Sequence, residues 1–216
     1  KKVRQMLDTA GFPDAIISAS NDLDEYLIET LKIQGAKITS WGVGTSLITS
    51  RDCPAFGGVY KLAAIRNEDG HFTPKIKLSE NTEKVTNPGN KEIYRIYKET
   101  GKIRADLICL ANETFDENKD MVLFDPNETW KRTRIVGGTY TMRKLLVPIF
   151  EEGKCVYTSP SVMEIQSICT QEKATLWDEN MRFVNPSNVY VDLSDNLYDL
   201  KQKVFNELSA AKYHIV

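Results

Sequence analysis

No apolar run in this sequence approaches the roughly 20 residues that a bilayer-spanning helix needs; among the longest is 145–150. No apolar leader opens it, because Lys1 and Lys2 run straight into an amphipathic stretch. Basic residues never gather into a stripe. The 28 Lys and Arg are interleaved with 30 Asp and Glu, for a formal net charge of −2, which speaks against a nucleic-acid surface. The four cysteines, Cys53, Cys109, Cys155 and Cys169, are scattered without a CxxC pair, and no histidine stands at metal-ligand spacing. That pattern argues against zinc and a disulfide framework and for free thiols in a reducing compartment, so cytoplasm is the expected location. Only two histidines occur. His71 falls in a turn and His214 near the tail, and neither has a nucleophile or carboxylate partner in sequence. There is no Walker A pattern, and Gly137-Gly138-Thr139 lacks the lysine that phosphate cradling uses.

What is present suits a folded domain. At 216 residues, 41% hydrophobic and 27% charged, the chain can bury a core as one large domain or two small ones. Val3, Met6, Leu7 and Ala10 recur at helical spacing until Gly11 and Pro13 stop them, so residue 1 already lies inside an element and preceding sequence is expected. A short apolar run at 15–19 reads as a buried strand. Asn21 and Asp22 follow as N-cap residues, Asp22 and Glu25 having capping-box spacing. Leu23, Tyr26, Leu27 and Leu31 then form one helical face, closed by Gly35. A second strand at 37–41 runs into Gly42-Val43-Gly44-Thr45. Strand, helix, strand with short links is the mark of parallel α/β architecture.

Beyond Phe56 the pattern changes. Strands are expected at 58–65, 72–78, 91–97, 104–110, 121–124 and 145–150, divided by turn signals at 67–70, 88–89 and Gly101. Phe56, Tyr60, Phe72 and the three tryptophans are read as core. The end is helical again: Ser161 and Glu164 make a capping box, and Ser194 or Asp195 caps a last helix whose face is Leu197, Leu200, Val204 and Leu208.

Three places could carry chemistry. In Gly42-Val43-Gly44-Thr45 two glycines let the backbone turn tightly and present N–H groups without a Cβ in the way, a cradle suited to phosphate; a plain turn is the simpler reading. Ser20, Asn21 and Asp22 lie at the carboxyl end of the preceding strand, where parallel α/β folds carry their ligands. Asp22 could hold ribose hydroxyls there or a metal-bound water, or simply cap the helix. Lys61, in the third expected strand, either points inward to neutralise phosphate or faces water. The lysines 75, 77, 84 and 91 form a functional loop or a solvated surface.

These segments together resemble the nicotinate phosphoribosyltransferase family. The resemblance runs through ISASNDLDE at 17–25, WGVGTSLIT at 41–49, FGGVYKL at 56–62, KLS at 77–79, Lys84, PGNK at 88–91, LLVP at 145–148 and VDLS at 191–194. It implies an enzyme in which nicotinate attacks C1 of phosphoribosyl pyrophosphate, with ATP hydrolysis, Mg2+, a role in NAD salvage and a homodimer. It implies an α/β fold in three parts. These are the last units of an incomplete, TIM-like α/β barrel (1–57), a β-rich α/β sandwich part (58–150) and carboxyl-terminal helices (151–216). Gly42, Val43, Gly44 and Thr45 then match the loop holding the 5′-phosphate, and Ser20, Asn21 and Asp22 the strand end facing the ribose. The family's phosphorylated histidine, carboxylate-binding arginine and acidic strand end match nothing here. No catalytic residue is therefore expected in this chain, nor activity from it alone. Nicotinamide or quinolinate phosphoribosyltransferase, or a non-catalytic interaction module, are the alternatives.

Overall fold

A computed structural model describes residues 1–55, 57–79 and 84–213, the side chains of 211–213 excepted. Phe56 and His214 fall outside the described residues. The chain divides into two compact units, Lys1–Val59 and Tyr60–Val216.

The first unit begins with helix α1 (Lys2–Thr9), which ends where Gly11 turns at φ +87. Strand β1 (Ser18–Ser20), helix α2 (Glu25–Ile33) and strand β2 (Ser40–Gly42) follow, then a single helical turn, α3 (Thr45–Ile48). The two strands pair in parallel, Ser18 with Ser40, Ala19 with Trp41 and Ser20 with Gly42, so β1-α2-β2 is one βαβ step. Gly35, at φ +74, closes α2 as its sequence position suggested; its N–H donates to Lys32 O and that of Ala36 to Leu31 O. Among the described residues here only Leu23 is fully buried, while Phe12, Ile16, Ile33 and Ile48 stay exposed.

The second unit is built on a four-stranded sheet. Strands β5 (Lys91–Lys98) and β6 (Ile103–Leu110) form a long antiparallel hairpin turned at Gly101, φ +75. β9 (Tyr140–Lys144) lies antiparallel on the other side of β5, and β12 (Val191–Leu193) lies parallel to β6. The order is β12-β6-β5-β9. Small antiparallel pairs flank it: β3 (Ala64–Arg66) with β4 (Phe72–Pro74), β7 (Met121–Phe124) with β8 (Arg132–Ile135), and β10 (Phe150–Glu151) with β11 (Lys154–Cys155). The architecture is mixed α/β.

Alternation makes the core. Ile103, Ala105, Leu107 and Cys109 of β6 are all buried, and Ile96, Leu123, Ile135 and Tyr140 close over the same face. Burial pushes the Cys109 thiol up to about 11, and all four cysteines are free. Opposite this face Arg95 pairs with Asp106 and, with Arg143, holds Glu172 of helix α4 (Val162–Thr175). The α4 capping box forms as read, Ser161 Oγ accepting from Glu164 N while Glu164 accepts from Ser161 N. Helix α5 (Asp195–Tyr213) is capped by Ser194, whose Oγ accepts from Leu197 N and donates to Glu113; Leu197 and Val204 are buried beneath it.

Several expectations need correction. The segment 151–216 is not a separate helical part, because β12 adds an edge to the sheet of the middle region. The strand expected at 58–65 shrinks to Ala64–Arg66, the preceding Gly57-Gly58 and Tyr60 lying exposed. The apolar run 145–149 is not a strand; β9 uses the polar 140–144 instead, and Pro148 has no N–H to give a ladder. Tyr60 and Trp130, read as core, are 96% and 73% exposed. No described helix is long and apolar enough to cross a membrane.

Candidate functional site

The two strand ends that the sequence singles out are neighbours. Ser20 closes β1 directly opposite Gly42 at the end of β2, and Ser20 Oγ donates to Gly42 O at 3.4 Å. A Cβ on residue 42 would sit 3.1 Å from that hydroxyl, so glycine is what lets the two ends approach.

Past Ser20 the backbone turns through Asn21 at φ 91 and Asp22 at φ 45. Left-handed geometry in a non-glycine residue costs about 1 kcal/mol or more, and Asn and Asp tolerate it best. Both residues are exposed, and neither side chain makes a hydrogen bond or ion pair with a described residue. The helix cap is Asp24, extended at φ −136 and ψ 176, whose carboxylate accepts from Leu27 N at 2.8 Å. The reading of Asn21 and Asp22 as caps is therefore wrong, and two polar side chains stand free at the strand end. The Asp22–Glu25 spacing masked a second Asp two residues on, and Asp24, just before the first exposed helical face, was the signal to read. Asp24→Ala is expected to destabilise the first unit by about 1 kcal/mol, whereas Asp22→Asn should leave its melting temperature unchanged. Asparagine keeps the tolerance for φ 45 and removes only the charge. A thermal melt of each variant checks both.

On the neighbouring strand end Gly44 is exposed and opens α3, its carbonyl accepting from Leu47 N and Ile48 N at 3.1 Å. The first N–H groups of the turn have no intrahelical acceptor, as at any helix start, and Thr45 is exposed beside them. A Cβ on Gly44 would meet no heavy atom within 4 Å. What this corner offers chemically is a row of N–H donors, two hydroxyls and one free carboxylate.

The other sequence candidates divide. Lys61 is exposed and its Nζ donates to Tyr60 O at 3.4 Å, with no strand around it. Of the lysine series, Lys91 is structural. Its half-buried Nζ donates to Asn87 O at 2.8 Å and Gly89 O at 2.7 Å, clamping the turn in which Gly89 takes φ +91, and burial lowers its pKa. Asn87 Oδ1, buried inside that turn, has no partner among the described residues. Gly137-Gly138-Thr139 is a tight turn packed on backbone, with Gly138 at φ +77.

Comparison with known proteins bears on the whole chain. A family model described as the nicotinate phosphoribosyltransferase C-terminal domain matches residues 90–201. The chain is 42% identical over 211 residues to a nicotinate phosphoribosyltransferase of Bacillus subtilis (strain 168), covering 97% of this chain and 42% of that protein. It is 34% identical to one of Caenorhabditis elegans, over 87% of this chain and 32% of that protein. The crystal structure of human nicotinic acid phosphoribosyltransferase superposes with a TM-score of 0.66 at 21% identity, over 94% of this chain and 35% of that one. The chain thus spans roughly two fifths or less of the length of these relatives.

Proposed function

Because the chain belongs to the nicotinate phosphoribosyltransferase family, as its carboxyl-terminal part, we propose that it supplies the wall of the site that grips the phosphoribosyl group. In this reading the backbone of Gly42, Val43, Gly44 and Thr45 holds the 5′-phosphate, and Ser20, Asn21 and Asp22 face the ribose. The carrying observation is the direct pairing of Ser20 with Gly42, which sets both stretches at the same end of two parallel strands. The parallel βαβ step would be one unit of an incomplete TIM-like barrel, and its exposed Phe12, Ile16 and Ile48 are apolar surface that further barrel units would cover.

The chemistry suits such a wall. Displacement of pyrophosphate at C1 by nicotinate builds positive charge on the ribose and negative charge on the leaving group. Anchoring the remote 5′-phosphate fixes C1 relative to the attacking nitrogen, and its binding energy is used at the reacting centre. Asp22 could accept from a ribose hydroxyl, which would hold the ring in one orientation. The reading extends to ATP, Mg2+, NAD salvage, a cytoplasmic setting and a homodimer as properties of the complete protein. Among the described residues no three of His, Cys, Asp and Glu come together to hold a metal ion. Magnesium ordinarily takes one or two carboxylates together with substrate phosphates, so in this reading it is carried by the phosphoribosyl pyrophosphate and not by a cluster of acids.

The test is a phosphorus NMR titration of the chain with phosphoribosyl pyrophosphate, with inorganic pyrophosphate as control. Shift or broadening of the 5′-phosphate signal, and no nicotinate mononucleotide formed by the chain alone, is the expected result. An unperturbed spectrum, with the chain still folded, would favour a docking module.

A further inference from the structure

A cavity of about 590 Å3 lies in the second unit, where β12 runs out along the edge of β6 and β7 closes the far side. That is the size of a small-molecule site. Asp192 of β12 lines it, 6% exposed, and its carboxylate accepts no hydrogen bond from any described residue. Asp125 stands close enough to add its negative field, with one oxygen already taken by the N–H groups of Asn127 and Glu128. Stripping most of the water from a carboxylate without giving it a partner is costly, and buried charges are ordinarily paired.

The cations that share the lining do not pair with it. Lys98 sits 4.6 Å over the Trp177 ring, Lys131 pairs with Glu128, and Arg104 makes no ion pair with a described residue. Trp177 is fixed as a wall by its indole N–H, which donates to Ile103 O at 2.7 Å. The cavity therefore joins an unsatisfied carboxylate to a wall in which the Trp177 side chain is fixed.

We propose that this cavity binds a small organic ammonium compound, its –NH3+ seated on Asp192 with Asp125 as second acceptor and its carbon chain along Trp177. Three ammonium hydrogens would satisfy the oxygens that the protein leaves bare.

Burial, with the field of Asp125 added, raises the Asp192 carboxyl to about 6. A folded-state value above the unfolded one means that the native state holds the extra proton, so stability is fully present in acid and is lost as pH rises through 6. Lys98, Arg104, Lys131, Asp125 and Glu179 are the other charged groups lining the cavity. Asp192→Asn should accordingly melt higher than the parent chain at pH 7.5 and equally at pH 4, which also establishes that the variant folds.

The probes are 1,4-diaminobutane and its neutral counterpart 1,4-butanediol, titrated calorimetrically into the 216-residue chain at pH 7.5. Expected are saturable binding of the diamine, none of the diol, and a loss of about tenfold or more in affinity in Asp192→Asn. The proposal is overturned if the diol binds as well as the diamine, if Asp192→Asn binds the diamine as tightly as the parent, or if the diamine gives no saturable heat up to about 10 mM. Should the variant not fold, the comparison of diamine with diol on the parent chain decides alone.

Discussion

Replacing Gly44 by alanine is expected to lower the affinity for phosphoribosyl pyrophosphate about tenfold or more while leaving the melting temperature within about a degree. The two halves of that expectation have separate causes. A Cβ at Gly44 meets no protein atom within 4 Å, so the substitution brings no steric clash. In our proposal the phosphate lies against the N–H groups that begin α3, beside this residue, and the added methyl group would crowd it. Losing one or two charge-assisted hydrogen bonds there corresponds to a tenfold effect or more. Gly42→Ala is the contrasting variant: its Cβ lies 3.1 Å from Ser20 Oγ, so binding and stability should fall together. Unchanged affinity in Gly44→Ala by calorimetry would remove the phosphate cradle from the proposal.

A larger effect on stability is expected from Gly137→Ala. A Cβ at this position would lie inside the carbonyl of Asn118 and 2.8 Å from the carbonyl carbon of Lys119, both backbone, so no side chain can swing aside. The clash also strains two hydrogen bonds: Gly137 N to Asp120 Oδ1 at 2.9 Å and Gly138 N to Glu117 O at 2.7 Å. We expect the second unit to lose about 2–4 kcal/mol and roughly 10 °C in melting temperature. Asp120, held below the usual carboxylate range first by the Gly137 N–H and then by Arg134, contributes stability at neutral pH that disappears as pH falls through its folded value. In Gly137→Ala that acid-side loss should be smaller. A melting series from pH 7 down to pH 3 measures both, and a variant as stable as the parent would show that the turn can open at no cost.

What could be read in advance was whatever local chemistry decides. The capping box of α4 is written in Ser161 and Glu164, the C′ glycine of α2 in Gly35, and the buried face of β6 in the alternation of Ile103, Ala105, Leu107 and Cys109. The nearness of Ser20 to Gly42 followed from two short strands joined by one helix. Where two physical uses compete for one residue type, the reading failed. Asn and Asp serve both as helix caps and as left-handed turn residues, so the capping reading of Asn21 and Asp22 fails while Asp24 holds the cap. Strand β12 was out of reach because three residues carry almost no periodic signal and their partner, β6, lies roughly 80 residues away. For the same reason the cavity around Asp192 has no trace in sequence: its walls come from four separated stretches.

That distant pairing sets the timetable of synthesis. The β5–β6 hairpin leaves the ribosome with its outer rim bare, and the strand that seals it emerges only after roughly 80 further residues. At ordinary elongation speeds of 5–20 residues per second this is a delay of about 4–16 s. For that interval the nascent chain presents an open row of amide and carbonyl groups, the kind of template on which neighbouring chains add and aggregate. Any shortening that removes 191–193 makes the exposure permanent.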